Sequence, residues 1–384
     1  MEILKIYDGM DFIQKNNNAV AFIKFIPYIN SHLSENETGG FLKLSLIGLP
    51  QAGKTTLFEA LTRSELPVER KMENRIGVVN VPDDRIDRLS DLYSPRKTTY
   101  AKVEYFLPAA ANGNEEIIRD KKWSDVRDSD AFIHIIRNFQ QNGTGPADPL
   151  ADFLQTEEEL ILADLIVVEK RLERLELEKK KGRGYNEEEH KLLLEVQATL
   201  ENNIPLRKDT RLAAHPLLRG FTFLSAKPSL IIFNNNDHSH QLPEIPELIS
   251  NHDCLAVQGQ LEHEISKMDD AESMAFLKEY DIEESARERV IRQSYTLLGL
   301  ISYFTVGEDE VRAWTICKEM SAVEAAGVIH TDIQKGFIRA ETVAYDDLIN
   351  TGNYAEARKK GLVRLEGKSY KVQDGDIMNF RFNV

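Results

Sequence analysis

A short apolar run that leads directly into a glycine- and lysine-containing loop constrains this chain more than any other feature. Residues 41–47 (FLKLSLI) are typical of a buried strand, residues 48–55 (GLPQAGKT) match the pattern G-x-x-x-x-G-K-[ST], and residues 56–61 (TLFEAL) favour a helix. In such a unit, backbone amides and the helix dipole face a phosphate chain. The sequence therefore predicts a phosphate-binding loop with the candidate ligands Gly48, Gln51, Ala52, Gly53, Lys54, Thr55 and Thr56.

Two residues of this loop carry most of the predicted chemistry. The Lys54 ammonium is expected to reach the β- and γ-phosphate oxygens, which makes Lys54 the candidate catalytic residue. The Thr55 hydroxyl is expected to ligate Mg²⁺. The predicted ligands of the loop are therefore a nucleoside triphosphate and its magnesium ion.

A polar segment downstream is the candidate base-recognition loop. Residues 130–137 (DAFIHIIR) and 228–233 (PSLIIF) predict strands of a parallel sheet that is buried on both faces. The second run continues into the sequence NNND at 234–237. At the end of such a strand, an Asn-x-x-acid pattern can read a purine base, which makes Asn234, Asn235 and Asp237 candidates. The same residue types also form ordinary turns.

Residues 157–203 predict two helices that fold back on each other. Apolar residues alternate at spacings of four and three before a glycine-rich turn at Gly182 and Gly184, and the spacing resumes after it, at positions Ile161, Leu165, Val168, Leu172, Leu175, Leu193, Val196 and Leu200. The segment carries 13 acidic and 8 basic side chains, yet Lys179, Lys180, Lys181 and Arg183 cluster at its tip. The tip is either a solvated helix end that complements the dipole or a contact for an anionic partner such as RNA.

The C-terminal segment predicts short strands with glycine turns. Asp374-Gly375 predicts a turn, and Met378, Phe380, Phe382 and Val384 alternate with polar residues as the apolar face of a half-buried strand. His330 is interpreted as structural because a lone histidine near a turn seldom signals catalysis.

Length and composition limit the remaining possibilities. With about 150 residues per domain, 384 residues suggest two or three domains. The formal net charge of −15 argues against DNA and against any non-specific grip on nucleic acid. Two cysteines favour a reducing cytoplasm. The apolar run at 19–29 is too short and too interrupted for a membrane span.

From residue 41 to the C-terminus, the chain resembles the YchF/Obg-like ATPase family of P-loop proteins. The resemblance is carried by residues 46–62, 77–89, 290–316, 328–349 and 365–384, of which the last two resemble the family's ubiquitin-like TGS domain. It implies an α/β fold, in which a P-loop NTPase G domain carries an inserted antiparallel helical hairpin and is followed by a C-terminal β-grasp (TGS) domain. It also implies ATP or GTP binding with Mg²⁺, slow hydrolysis, and association with ribosomes in the cytoplasm.

The expected domain boundaries follow from combining the resemblance with the local patterns. Residues 1–40 form an N-terminal extension, either loosely ordered or docked around its aromatic residues. Residues 41–150 and 207–301 form the G domain, residues 151–206 form the hairpin arm, and residues 302–384 form the TGS domain.

The second switch departs from the family pattern. Where the family has Asp-Ile-Ala-Gly-Leu, residues 107–111 read Leu-Pro-Ala-Ala-Ala. Leu107 replaces the Asp that orients magnesium, and Ala110 replaces the Gly whose amide senses the γ-phosphate. The helper residues of the following loop are missing from 112–122. In the first switch, the position of the family's magnesium-binding Thr falls near Lys71, which cannot ligate the metal. Thr55 is then the one expected metal ligand.

These departures leave two classes of function open. The first is a slow ribosome-linked NTPase. The second is a non-hydrolysing module in which nucleotide occupancy sets the arrangement of its domains, and the replacements at 107–111 favour it. The Asp237 carboxylate suits the paired donors of guanine, whereas the resemblance favours adenine, and we predict ATP. The second base loop has Gln258 in place of a small hydroxyl residue. The expected partner is the ribosome or ribosomal RNA, contacted by the arm tip and by a TGS surface near Lys335 and Arg339.

Overall fold

The described part of the chain contains two six-stranded sheets. The computed structural model describes residues 42–64, 73–109, 123–140, 145–237, 239–280, 282 and 284–383. The predicted extension at 1–40 lies outside these residues.

The first sheet is mainly parallel and has the strand order β2-β4-β1-β5-β6-β7. All neighbours are parallel except β2, which runs antiparallel to β4. Its central strands are buried on both faces, as expected for a parallel sheet covered by helices. The strands are β1 (Lys43–Ile47), β2 (Arg75–Asn80), β4 (Lys102–Leu107), β5 (Ala131–Asn138), β6 (Ser229–Asn235) and β7 (Cys254–Val257).

The second sheet has the order β11-β10-β12-β8-β9-β3 and is built mainly from the C-terminal segment. Its edge strand β3 comes from the segment predicted as G domain, and Thr98 pairs in parallel with Val311 of β9. The strands are β3 (Lys97–Thr99), β8 (Leu300–Thr305), β9 (Glu310–Cys317), β10 (Phe337–Ala344), β11 (Arg364–Glu366) and β12 (Asp376–Phe382).

Helices cover both sheets and form the arm between β5 and β6. No helix in the described parts of the chain combines the length and apolarity needed to cross a membrane. The helices are α1 (Lys54–Thr62), α2 (Asp84–Tyr93), α3 (Pro149–Lys181), α4 (Glu187–Glu201), α5 (Thr210–Ala213), α6 (Pro246–Ile249), α7 (Gly259–Ser266), α8 (Asp270–Glu279), α9 (Ala286–Leu297), α10 (Ala322–Ile329), α11 (Thr331–Lys335), α12 (Tyr345–Thr351) and α13 (Tyr354–Lys359).

The predicted helical hairpin is confirmed as α3 and α4. Gly182 ends α3 in the left-handed region at φ 67°, and the Asn186 side chain caps α4 by accepting hydrogen bonds from two backbone amides. Among the predicted seam residues, Leu165 is half-buried and the other seven are buried. At the base of the arm, the fully buried Asp164 accepts hydrogen bonds from Arg127 at 3.0 Å and from the amides of Leu224 and Ser225. These bonds fix the arm to the segments that precede β5 and β6 in the first sheet.

The last strand differs in part from its predicted pattern. Met378 and Phe380 are buried as expected, but Phe382 is 44% exposed. Ile377, on the opposite face, is buried in the main core. The first residues of β12 are therefore buried on both faces because core residues lie on each side of the second sheet. Val384 lies outside the described residues.

Candidate nucleotide-binding site

The loop between β1 and α1 follows a curved backbone path in which two glycines have no room for a side chain. Gly48 adopts φ 136°, and a Cβ atom there would lie 2.2 Å from the Ile135 carbonyl oxygen. Gly53 adopts φ 95°, and a Cβ atom there would lie 2.1 Å from Nδ2 of Asn234. Gln51 takes the left-handed region at φ 64° without being a glycine. The loop is therefore held in a curved shape by close contacts with β5 and β6.

Lys54 lies at the start of α1 with its ammonium folded back over the loop. Its Nζ donates hydrogen bonds to the carbonyl oxygens of Gly48 at 3.0 Å and Leu49 at 2.6 Å. Thr55 and Thr56 follow in the first turn and are half-buried, while Ala52 is buried in the main core. The structure thus gathers the loop residues that the sequence predicted around one concave turn of backbone.

Asn234 joins this loop to the start of α7. Its Nδ2 donates to the carbonyl oxygen of Ala52 at 3.0 Å, and its Oδ1 accepts from the amide of Gly259 at 3.0 Å. The side chain is only 7% exposed, so both hydrogen bonds are shielded from water. Asn234 therefore organises two loops. Gly259 belongs to the segment expected as the second base loop, but it was not among the predicted site residues.

The other two predicted base-reading residues lie in different environments. Asn235 is buried, accepts a hydrogen bond from Asn138 at 2.7 Å, and donates to the carbonyl oxygens of Ser239 and Gln241. Asp237 is exposed. The buried Gln258 donates to the carbonyl oxygen of Ser239 at 2.9 Å. Asn235 and Gln258 thus brace the loop, whereas Asp237 is available to a ligand.

A buried acid supports the second of these loops from behind. Glu262, in α7, accepts hydrogen bonds from the amides of Ala286 at 2.9 Å and Arg287 at 3.2 Å, at the start of α9. Burial raises the pKa of Glu262, and the two amides oppose that rise. The loop that contains Gln258 and Gly259 is therefore fixed to the adjacent helix.

The switch position Leu107 behaves as a core residue. It is 6% exposed and belongs to the same apolar cluster as Ala52 and Leu57. Across the described residues, no group of three or more His, Cys, Asp or Glu side chains is placed to hold a metal ion. A magnesium ion that arrives with a nucleotide fits this site if Thr55, phosphate oxygens and waters are its ligands, because Mg²⁺ commonly retains waters. Lys71, Ala110, Ala111 and residues 112–122 lie outside the described residues.

A strand, a phosphate-loop sequence and a helix at the carboxyl end of a parallel sheet define a P-loop NTPase fold. Residues 300–383 match the family YchF-GTPase_C, described as a protein of unknown function (DUF933). The "Structure of the Schizosaccharomyces pombe YchF GTPase" superposes with a TM-score of 0.76 at 29% identity, covering 88% of this chain and 97% of that one.

Curated relatives extend this likeness over most of the chain. The Ribosome-binding ATPase YchF of Bacillus subtilis (strain 168) is 38% identical over 367 residues, which cover 89% of this chain and all of the relative. The protein of the same name from Escherichia coli O157:H7 is 35% identical and is covered over 99% of its length. The chain therefore belongs to the YchF family.

We predict that Asn234→Ala releases the second loop. Its loss leaves the Ala52 carbonyl and the Gly259 amide without their side-chain partner, at a cost of about 1–3 kcal/mol for each group. Hydrogen exchange of the peptide that contains Gly259 should therefore accelerate by about tenfold or more. Asn236→Ala, at an exposed neighbouring position, is the matched control and should leave the exchange rate unchanged. Equal exchange in both variants would contradict the bridging role.

Proposed function

We propose that this protein binds a purine nucleoside triphosphate, with ATP preferred, and hydrolyses it slowly in a ribosome-associated, cytoplasmic setting. The single observation that carries the proposal is the curved loop over which Lys54 donates to the carbonyls of Gly48 and Leu49. Those interactions are ones that phosphate oxygens can replace, since a lysine ammonium binds either kind of oxygen. The relatives' names, Ribosome-binding ATPase and YchF GTPase, support the same class.

The proposed site uses the loop amides and Lys54 for the phosphates and Thr55 for magnesium. A bound magnesium ion would supply charge neutralisation between phosphate oxygens. Asn234 holds the phosphate loop and the second base loop, which contains Gln258 and Gly259, in fixed relative positions through its hydrogen bonds to Ala52 and Gly259. The exposed Asp237 is the proposed reader of the base, with Asn235 bracing the loop that presents it.

Slow hydrolysis follows from the environment of Leu107. Phosphoryl transfer depends on a precisely held metal and an ordered water. A leucine in the apolar cluster of Ala52 and Leu57 cannot orient either one. The second candidate function, a nucleotide-dependent binding module without hydrolysis, is favoured by this same observation.

A titration with fluorescent ATP and GTP analogues tests nucleotide binding and base choice. We expect both analogues to bind, with ATP tighter. Lys54→Ala should bind neither analogue, because the ammonium that contacts the phosphates is removed. Lys102→Ala, at an exposed lysine on β4, is a control that should bind normally. GTP binding at least about tenfold tighter than ATP binding would reverse the base assignment, since that ratio equals 1.4 kcal/mol.

Single-turnover hydrolysis, with and without ribosomes, separates the two candidate functions. We expect product formation that is about 100-fold or more slower than in the relatives, because losing one charge-stabilising group typically costs that much. Rapid turnover that disappears in Lys54→Ala would exclude the binding-module function. Retained binding with no product in either condition would establish it.

The arm tip is the proposed contact for the ribosome. Lys179, Lys180, Lys181 and Arg183 are exposed at the end of α3, and the Lys179 ammonium lies 5.1 Å from the ring centroid of Tyr185. Lys335 and Arg339, at the end of α11 and in β10, are also exposed and are proposed to contribute a second basic surface. An acidic arm with a basic end suits a narrow contact with RNA phosphates.

Charge reversal at Lys179, Lys180 and Lys181 should weaken ribosome co-sedimentation and reduce its salt dependence, because each lost phosphate contact removes released counterions. We expect about a tenfold loss at moderate salt and unchanged nucleotide binding. Reversal of Lys170 and Arg174, which are exposed on the shaft of α3, is the control. Identical sedimentation of the tip variant and wild type at low and moderate salt would remove the tip from the contact.

A further inference from the structure

A buried arginine, whose terminal nitrogens make no hydrogen bond to the described residues, lies at the edge of the proposed nucleotide site. Arg75 is the first residue of β2 and is only 9% exposed. Its Nη1 and Nη2 atoms are inaccessible to solvent, and neither has a hydrogen-bond partner among the residues that the structure describes. A guanidinium group stays charged at every physiological pH, so it cannot relieve its burial by losing a proton. Within the described parts of the chain, Arg75 thus lacks the hydrogen-bonded anion that usually accompanies a buried guanidinium.

The direction of the Arg75 side chain follows from the sheet. Arg75 pairs with Leu107 across the antiparallel strands β2 and β4, so the two side chains leave the same face. Two residues further on, a Cβ atom on Gly77 would lie 2.2 Å from the Thr62 side chain and 3.3 Å from the Phe58 ring, both in α1. Because side chains two apart in a strand share a face, Arg75 lies on the α1 side of the sheet.

Arg75 also lies at the end of that face from which the phosphate loop starts. β4 runs parallel to β1, and Leu107 is the last residue of β4, just as Ile47 is the last residue of β1 before the phosphate loop. Relative to Gly77, Arg75 is about 7 Å closer to this edge. In the order β2-β4-β1, the two outer strands are about 10 Å apart, a span comparable to an extended arginine plus one phosphate group.

We propose that Arg75 binds the terminal phosphate of the nucleotide. It would do so on the side of the site where Leu107 stands in place of the family's Asp. The planar guanidinium matches two phosphate oxygens at once, and burial strengthens such a charged hydrogen-bond pair. The inference rests on the proposed nucleotide binding and deepens it, because it assigns a cation to the phosphate that distinguishes a triphosphate from a diphosphate. The terminal phosphate would supply the negative charge that offsets the burial of the Arg75 guanidinium.

Calorimetric titration of Arg75→Met tests this assignment, because methionine keeps an aliphatic stem and removes the charge. The ligands are the diphosphate and the non-hydrolysable imidotriphosphate of the tighter-binding base, each with Mg²⁺ and with EDTA. We expect triphosphate binding to weaken about 10- to 100-fold, as for loss of a charged hydrogen bond, and diphosphate binding to change by less than about threefold. Arg88→Met, at an exposed site on α2, is the control and should bind both ligands as wild type does.

Thermal unfolding of the ligand-free protein provides a second readout. Because Arg75→Met removes an unpaired buried charge, its melting temperature should equal or exceed that of wild type. A fall of several degrees would identify Arg75 as part of an internal ion pair and overturn the proposal. So would an equal loss of both nucleotides, no loss of either, or stabilisation of wild type by inorganic phosphate without a preference for triphosphate.

The same titrations distinguish a failure of the Arg75 assignment from a failure of the proposed nucleotide binding. If wild type binds triphosphate and Lys54→Ala does not, while Arg75→Met binds normally, nucleotide binding stands and the role of Arg75 falls. If wild type binds neither nucleotide, both fall.

Discussion

The side-chain amide of Asn234 holds together three segments that are far apart in sequence. Its nitrogen binds the Ala52 carbonyl, its oxygen binds the Gly259 amide, and β6 supplies its backbone. Glycines border it on both sides, because a Cβ atom would lie 2.1 Å from its nitrogen at position 53 and 2.7 Å from its oxygen at position 259. One asparagine and two glycines therefore form an interlocked unit. This unit holds the curved phosphate loop against β6 and the start of α7.

Charge at the edge of the first sheet differs from what a magnesium-centred site requires. At the end of β4, Leu107 stands in place of the acid that the family pattern predicts and is buried among apolar residues, and the paired position on β2 carries Arg75. Both features favour binding of an anion over binding of a hydrated cation. In the proposed site, protein cations rather than carboxylate-held metal would therefore carry most of the phosphate binding.

Much of this architecture was predictable because its signals are local. The loop sequence, the apolar strands β1, β5 and β6, and the seam of α3 and α4 each lie within a short stretch of chain. The pairing of β3 with β9 was not predictable, since Lys97–Thr99 has no apolar alternation and its partners lie more than 200 residues away, as the bond from Thr99 to Glu310 shows. Arg75 was also missed, because the burial of a charge at a strand end depends on which face that strand presents.

Strand β3 makes the second sheet a shared structure. Residues 300–383, which match a family of their own, include every strand of this sheet except β3. Arg85 adds a second connection, because it donates to both carboxylate oxygens of Asp374, which in turn accepts from the Ser302 amide. A C-terminal fragment cut at residue 300 would leave the backbone groups of β9 without the strand that covers them. Such an uncovered edge invites pairing with other chains, so the family boundary in sequence is a poor place to divide this molecule.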